Sequence, residues 1–533
     1  MKRINLLWIM ALFLGWTFDF LFWDYASGIS FAIYVLLCLG GGLLVLLSNG
    51  SKPAWKSLLL LVPILFFAAM TAVRREPMSV FLASAFSLTL LGLLAVTYLG
   101  GRWMQYSLSD YVANLVKLAG SMVARPLLVA LEERKNASDA AKAGQPQAGA
   151  GSLKKRGWAV VRGILIALPI VAVFAALLSS ADVVFAARLH DFMQLFRLER
   201  LPEYIFRAFY ILILAYALAG AILHAGQKSR DEKLIGVEKP LVPPFLGFTE
   251  TTIVLGAVNL LFGAFVVIQF QYFFGGQTNI GVEGYTYAEY ARRGFGELVA
   301  VAFFSLVLFL GLSAIARREN AAERWAFSGL GLLLVVLVGV MLVSAFQRLL
   351  LYEAAYGFTR LRTYTHVFMI WLGVLLALVV LLEILRRQRA FALAAVLVSI
   401  GFAATLTLMN VDGFIVRQNV ARAVRGDDLD VAYLASLSSD SVPDLVAAVQ
   451  DEGLPAETRD AVGAALVCRT RASFRSEPEQ NWRAFTFSGA WARKALEQVQ
   501  DVLDNYTLNE ENWPAQVETP QGEIYDCWTD WMD

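Results

Sequence analysis

The chain has 533 residues, of which 58% are hydrophobic and only 17% charged, against about 25% charged in an ordinary soluble protein. Its formal net charge of +1 hides an uneven spread: residues 412–533 hold 22 acids and 10 bases, a net −12, so the residues before them carry +13. The apolar residues fall in runs near the length that a helix needs to cross hydrocarbon, which excludes one large soluble core, and the acidic tail excludes nucleic acid as its partner.

Residues 4–23 follow Lys2 and Arg3. The run is too long for the apolar centre of a signal peptide, and no small-residue cleavage site follows, so it reads as a retained first span. Further spans are predicted at 28–47, 57–73, 78–99, 158–180, 204–224, 248–272, 298–316, 326–347, 363–385 and 391–410, about 11 in all. Lysines and arginines collect in alternate connections: Lys52 and Lys56, then Lys154, Lys155 and Arg156, then Lys228, Arg230, Lys233 and Lys239, then Arg317, Arg318 and Arg324, and last Arg386, Arg387 and Arg389. The positive-inside bias places these and the N-terminus in the cytoplasm, and an odd span count puts the tail outside.

Four sections result: a front four-span section at 1–107, a cytoplasmic surface helix and linker at 108–157, a seven-span core at 158–410, and an extracytoplasmic all-helical tail domain at 411–533. Residues 108–133 have helical apolar spacing and fit a helix lying on the membrane. Residues 134–152, rich in Ala, Gly, Gln and Ser, read as a flexible linker. The segment 183–201 reads as an outer interfacial helix.

The polar residues point to the outer end of the bundle. At 285–298, Glu289, Arg293 and Glu297 are four apart, the spacing of helical ion pairs, among Tyr287, Tyr290 and Arg292. A second segment, 352–364, carries Glu353, Arg360, Arg362 and Tyr364, with Gly357 suited to a turn or helix end. Arg360 and Arg362 would reach Glu289, Glu297 or an anionic ligand, since guanidinium forks suit carboxylate and phosphate. Asp412 and Arg417 lie at the same end. A structural ion-pair network, a ligand site and a catalytic site all remain open for this set. The centres of most spans hold no ionisable group, the nearest polar candidates being Asn259 in the middle of its span and Gln269 further out, so an ion-coupled carrier with a midplane carboxylate is disfavoured.

Three motifs resemble a known family: residues 287–298, 356–364, and the set Asn410, Asp412, Arg417 and Asn419. Residues 429–438, 481–488 and 492–496 extend the likeness. Together they are similar to the bacterial membrane family called domain of unknown function 4173, with its relative 4153, over roughly 160–500. The resemblance implies a polytopic bacterial envelope protein and supplies no activity or catalytic residue.

Three histidines at no ligand spacing give no metal site, and no motif implies a cofactor. Cys468 and Cys527 would meet an oxidising compartment with the tail outside; a disulfide and two free thiols are both open. The expected protein is therefore an all-α, polytopic transmembrane bundle in the bacterial cytoplasmic membrane, in contact with membrane lipids. The leading function is binding or passage of a small anionic or lipid-like ligand through an outer-leaflet vestibule. The alternatives are an envelope scaffold or signalling protein whose tail meets a protein partner and, third, a membrane-embedded enzyme.

Overall fold

The computed structural model of the chain describes residues 3–142, 201–230, 234, 243–274, 295–471, 481–511 and 513–528, with scattered positions between 163 and 188. Helices follow one another: α1 Ile4–Phe22, α2 Ile29–Ser48, α3 Trp55–Leu58, α4 Leu61–Val73, α5 Pro77–Thr97, α6 Leu108–Lys142, α7 Leu201–Gln227, α8 Phe248–Phe274, α9 Phe295–Ile315, α10 Ala321–Tyr356, α11 Arg360–Ile384 and α12 Phe391–Met409. The tail adds α13 Val411–Ala423, α14 Val431–Ser436, α15 Val442–Gln450, α16 Ala456–Arg471, α17 Phe487–Leu496 and α18 Gln500–Leu503. Among the described residues, eleven helical segments are long and apolar enough to cross a membrane. The fold is all-α and polytopic, and the chain is a multi-pass membrane protein.

Ten of the eleven segments coincide with expected spans. The eleventh is Leu108–Glu132 within α6, which the sequence lays on the membrane surface; the expected span 158–180 and interfacial helix 183–201 are described only at scattered positions. One expectation is corrected. The tail is not all-helical, because Thr507–Asn509, Gln516–Glu518 and Ile524–Asp526 (β1, β2 and β3) form a three-stranded antiparallel sheet. Leu508, Val517 and Tyr525 sit opposite one another across it. Alternation over three residues is too short to separate from a loop by pattern alone.

Two compact units divide the chain. The first comprises residues 1–20, 41–50 and 117–227. Here Asp19 on α1 takes a two-pronged bond from Arg207 on α7, with Nε 2.9 Å from Oδ1 and Nη2 2.6 Å from Oδ2. Tyr210 donates its hydroxyl to the same carboxylate. Residues 121–125 of α6 meet α7 at positions spread from 216 to 227: Ser121 Oγ lies 2.8 Å from His224 Nδ1, Tyr216 donates to Val123 O, and Arg125 donates to Gln227. Gly220 permits the approach, since a Cβ there would stand 2.5 Å from Met122 Cα.

The second unit comprises residues 21–40, 51–116 and 228–533. One apolar core joins α4, α5 and α12 to the tail, and another joins α8 to α11. Its connections gather at two ends. At one end Tyr98 donates to Ser51 O, Trp103 Nε1 to Lys56 O, Leu99 N to Ser229 Oγ, and Arg317 N to Leu246 O. At the other end lie 74–76, 357–360, Asn410 and the tail helices α13 to α15. Among the described residues, Lys52, Lys56, Lys228, Arg230, Arg317 and Arg318, expected inside, lie in connections at the first end, while Lys154, Lys155, Arg156, Lys233 and Lys239 lie outside the described residues.

Candidate functional site

Arg360, at the first position of α11, is aimed at α13. Its Nε lies 2.7 Å from Asp412 Oδ1 and its Nη2 2.6 Å from Oδ2. Asp412 has a fully buried side chain, while that of Arg360 is 25% exposed. Oδ2 also accepts the backbone N–H of Ser438 at 2.7 Å, and the Tyr433 hydroxyl accepts the N–H of Arg360 at 2.8 Å. A buried carboxylate with three donors is well satisfied, which is what makes a buried ion pair tolerable.

Around this pair, arginines and amides from one element complete the helix ends of another. Gly357 ends α10 at φ 79°, and a Cβ there would lie 2.6 Å from Arg422 Nη1 and 2.8 Å from Asn419 Oδ1. Asn419 accepts from Phe358 N at 2.8 Å and donates to Phe358 O at 2.9 Å. Arg422 donates to Ala354 O and Ala355 O, and Arg74 to Thr407 O and Leu408 O. These carbonyls close α10 and α12, where the helix itself has no donor to offer.

Glu76 caps α5, accepting from Met78 N at 2.9 Å and Ser79 N at 2.7 Å, with Pro77 at the first helical position. Tyr364 donates its hydroxyl to Glu76 Oε1. Asp440 accepts from Arg75 N at 2.9 Å and Glu76 N at 2.8 Å, and Asn410 donates to Asp440 O. The whole is a clasp that fastens α13, α14 and the start of α15 to the ends of α4, α5, α10, α11 and α12.

Burial holds the Asp440 carboxyl above the usual carboxylate range, against the lowering pull of the Arg75 and Glu76 N–H groups. A raised folded pKa favours the folded state in full below the ordinary value of about 3.9, and this contribution is lost as pH rises through the raised value. The stability of Asp440→Asn is therefore expected to fall less than that of the parent as pH rises through the mildly acidic range. The difference between the two is expected to stay under about 1.4 kcal/mol per pH unit, the limit for one proton. Paired thermal melts over that range measure it, and parallel curves would refute it.

The predicted residues fare unequally. Tyr287, Glu289, Tyr290, Arg292 and Arg293 lie outside the described residues, and Glu297 is exposed in the first turn of α9. Arg360 pairs with Asp412 rather than with Glu289 or Glu297. Arg362 turns back, donating to Tyr356 O at 3.1 Å and to Gly357 O, and lies over the Tyr352 ring at 4.1 Å. Arg417 pairs with Asp444 at 2.8 Å on an exposed surface. Cys468 and Cys527 are joined in a disulfide with Cα atoms 5.1 Å apart.

The sequence reading did not single out Arg74, Glu76, Arg422 or Asp440, and it met Asn419 and Ser438 only as parts of family motifs, without a structural role. It also missed His366, whose Nδ1 lies 3.1 Å from Glu353 Oε1. Only the helix-stop glycine before Arg360 and the Glu-Pro start of α5 carry a local signal. Among the described residues, no group of three or more His, Cys, Asp or Glu side chains is placed to hold a metal.

A family model described as "Domain of unknown function (DUF4153)" matches residues 61–448, from the start of α4 to within α15. The match is with the relative, 4153, and it includes the clasp, while the resemblance drawn from motifs began near 160. No curated protein matches the chain, and no solved structure does.

Proposed function

The chain belongs to the family described as "Domain of unknown function (DUF4153)", a description without an activity, and from its geometry we propose a membrane scaffold that presents its C-terminal domain to a partner protein. The proposal places it in the bacterial cytoplasmic membrane, with the N-terminus inside and the tail outside. One observation carries the reading: the Arg360–Asp412 pair is closed, buried and shared with the tail backbone. The guanidinium that a vestibule would offer to an anion is already committed, and Arg362 is committed to carbonyls.

Two further observations support the sidedness. Among the described residues, the basic connections at 51–56, 228–230 and 316–320 gather at the end of the second unit away from the tail, as the positive-inside bias requires of a cytoplasmic end. The Cys468–Cys527 bridge fits an oxidising compartment. Use of Arg360 or Arg362 by a passing anion or lipid-like ligand would require that arginine to leave its partners.

Two measurements on the protein test the reading. A stop codon replacing Asp427 in the native host should reproduce the phenotype of whole-gene deletion, while the truncated chain still melts cooperatively after purification. The full-length chain in proteoliposomes should show no saturable movement of phosphate, sulfate or labelled phospholipid. Full function without the tail, or saturable transport that Arg362→Gln abolishes, would overturn the scaffold.

A further inference from the structure

At the end of the second unit away from the clasp, three connections meet. Phe245 and Leu246 donate their N–H groups to Ile315 O at 3.0 and 3.2 Å, and Arg317 N returns a bond to Leu246 O at 2.8 Å. Asn320 caps α10 by accepting from Glu323 N, and the Glu323 carboxylate accepts from Glu319 N, one residue before the cap. Between these turns and the end of α11 lies a cavity of about 840 Å³.

Its charge is unbalanced. Arg317, Arg318, Arg324 and Arg386 line it with only Glu319 and Glu383. Among the described residues, none of the four arginines has a carboxylate within ion-pair distance. Glu383 is occupied by the Ser328 hydroxyl and by Gln388 Nε2 at 2.7 Å. The guanidinium faces are held by rings: Arg318 stands 4.4 Å over Phe327 and Arg386 4.7 Å over Trp325. Among the described residues, Arg317 donates Nε to Pro244 O, and Arg318 donates only Nη2, to Ser313 O and Oγ. Burial, with Arg324 adding to it, lowers the proton affinity of Arg318, and Glu383 only partly offsets this. Forks held in place with donors to spare are what an anion with several oxygens requires.

The wall then turns apolar. The cavity runs down α10 past Gly329 to Leu332 and is flanked by Ile384. From residue 321 to 332 the helix rises about 16 Å. A Cβ at Gly329 would meet nothing within 4 Å, so the groove is open there. Trp325 is 66% exposed at the charged rim, as suits an aromatic at the headgroup level of a bilayer.

The geometry points to a binding site for a phosphate-bearing anion between α9, α10 and α11, with the charged head among the four arginines and an acyl chain along Gly329 and Leu332. Its fullest ligand is an anionic phospholipid of the surrounding leaflet. Free phosphate shares the head chemistry and would use the arginines alone. The site is independent of the clasp and of the scaffold role.

The test uses the full chain in nanodiscs and detergent. Phosphatidylglycerol should bind more tightly than phosphatidylcholine by native mass spectrometry. Arg324→Gln with Arg386→Gln, both at exposed positions, should weaken phosphatidylglycerol about tenfold per charge-assisted bond removed, with unliganded melting unchanged. Gly329→Leu keeps every charge and fills the groove. A variant that loses phosphatidylglycerol while inorganic phosphate still binds identifies the lipid as ligand. Binding of inorganic phosphate as tight as that of phosphatidylglycerol, untouched by Gly329→Leu but lost on removing the arginines, retains the site and assigns it a soluble anion. Equal binding of the two lipids, or indifference of both phosphatidylglycerol and phosphate to the arginine changes, overturns it.

Discussion

Arg360→Gln is expected to lower stability by about 3 kcal/mol, the lower end of the range for breaking a buried ion pair by removing one partner. The lower end applies because Arg360 is 25% exposed and part of its lost charge is screened by water. Asp412 sets the size of the effect. Its side chain has no exposure, so without the fork it is a buried carboxylate left with the N–H of Ser438. Asp412→Asn should cost less, because a neutral amide is cheaper to bury unpaired than a charge. The double variant should therefore be more stable than the sum of the singles by at least about 1 kcal/mol, as expected for residues in one network. Denaturant melts of the four proteins give the coupling, and limited proteolysis in residues 424–430 reports whether the tail has come loose. Additive effects, or an Arg360→Gln protein within about 0.5 kcal/mol of the parent, the range of an ordinary surface change, would show that the clasp carries no such weight.

The second large effect belongs to the disulfide. Cys468 on α16 and Cys527 after β3 are 59 residues apart in sequence, and closing a loop of that length is worth up to about 4 kcal/mol in chain-entropy terms. The bridge also holds the end of the sheet in place, since Cys527 N donates to Ala515 O at 2.8 Å. Cys468→Ala with Cys527→Ala should lower the denaturation midpoint of the tail, and reductant should do the same to the parent and nothing to the variant. Hydrogen exchange should rise first in β2 and β3. A midpoint that moves in neither case would mean that the buried apolar contacts of α16 hold this subdomain alone.

Much of the fold was legible because its main signal is local. A span shows itself as a run of apolar residues, and α8, α9 and α12 begin and end within a few residues of where composition alone puts them. Helix α10 is the informative exception. It continues to Tyr356, nine residues beyond its expected end, and carries Arg348 and Glu353 inside the protein. Their charge reads as a connection in sequence, whereas the helix carries Glu353 into the bundle, where His366 Nδ1 of the next helix stands 3.1 Å from its Oε1. The clasp was half legible for the same reason. Arg360, Tyr364 and Asp412 announce themselves as polar residues at span ends, whereas their partners are fixed by the fold. Glu76 is 288 positions from Tyr364, and Asp412 is met by a backbone N–H that no side-chain pattern encodes. The four-arginine cavity escaped notice because each arginine reads as an orientation signal, and only the turns between helices bring them into one ring.

The helix ends closed by Arg74 and Arg422 have a mechanical corollary. Each guanidinium sits across the terminal carbonyls of a neighbouring helix, so sliding α10 or α12 along its own axis by one turn would uncover oxygens that no other side chain among the described residues covers. Piston strokes are thereby discouraged, and a pull on α13 to α15 is shared among several helix ends at once.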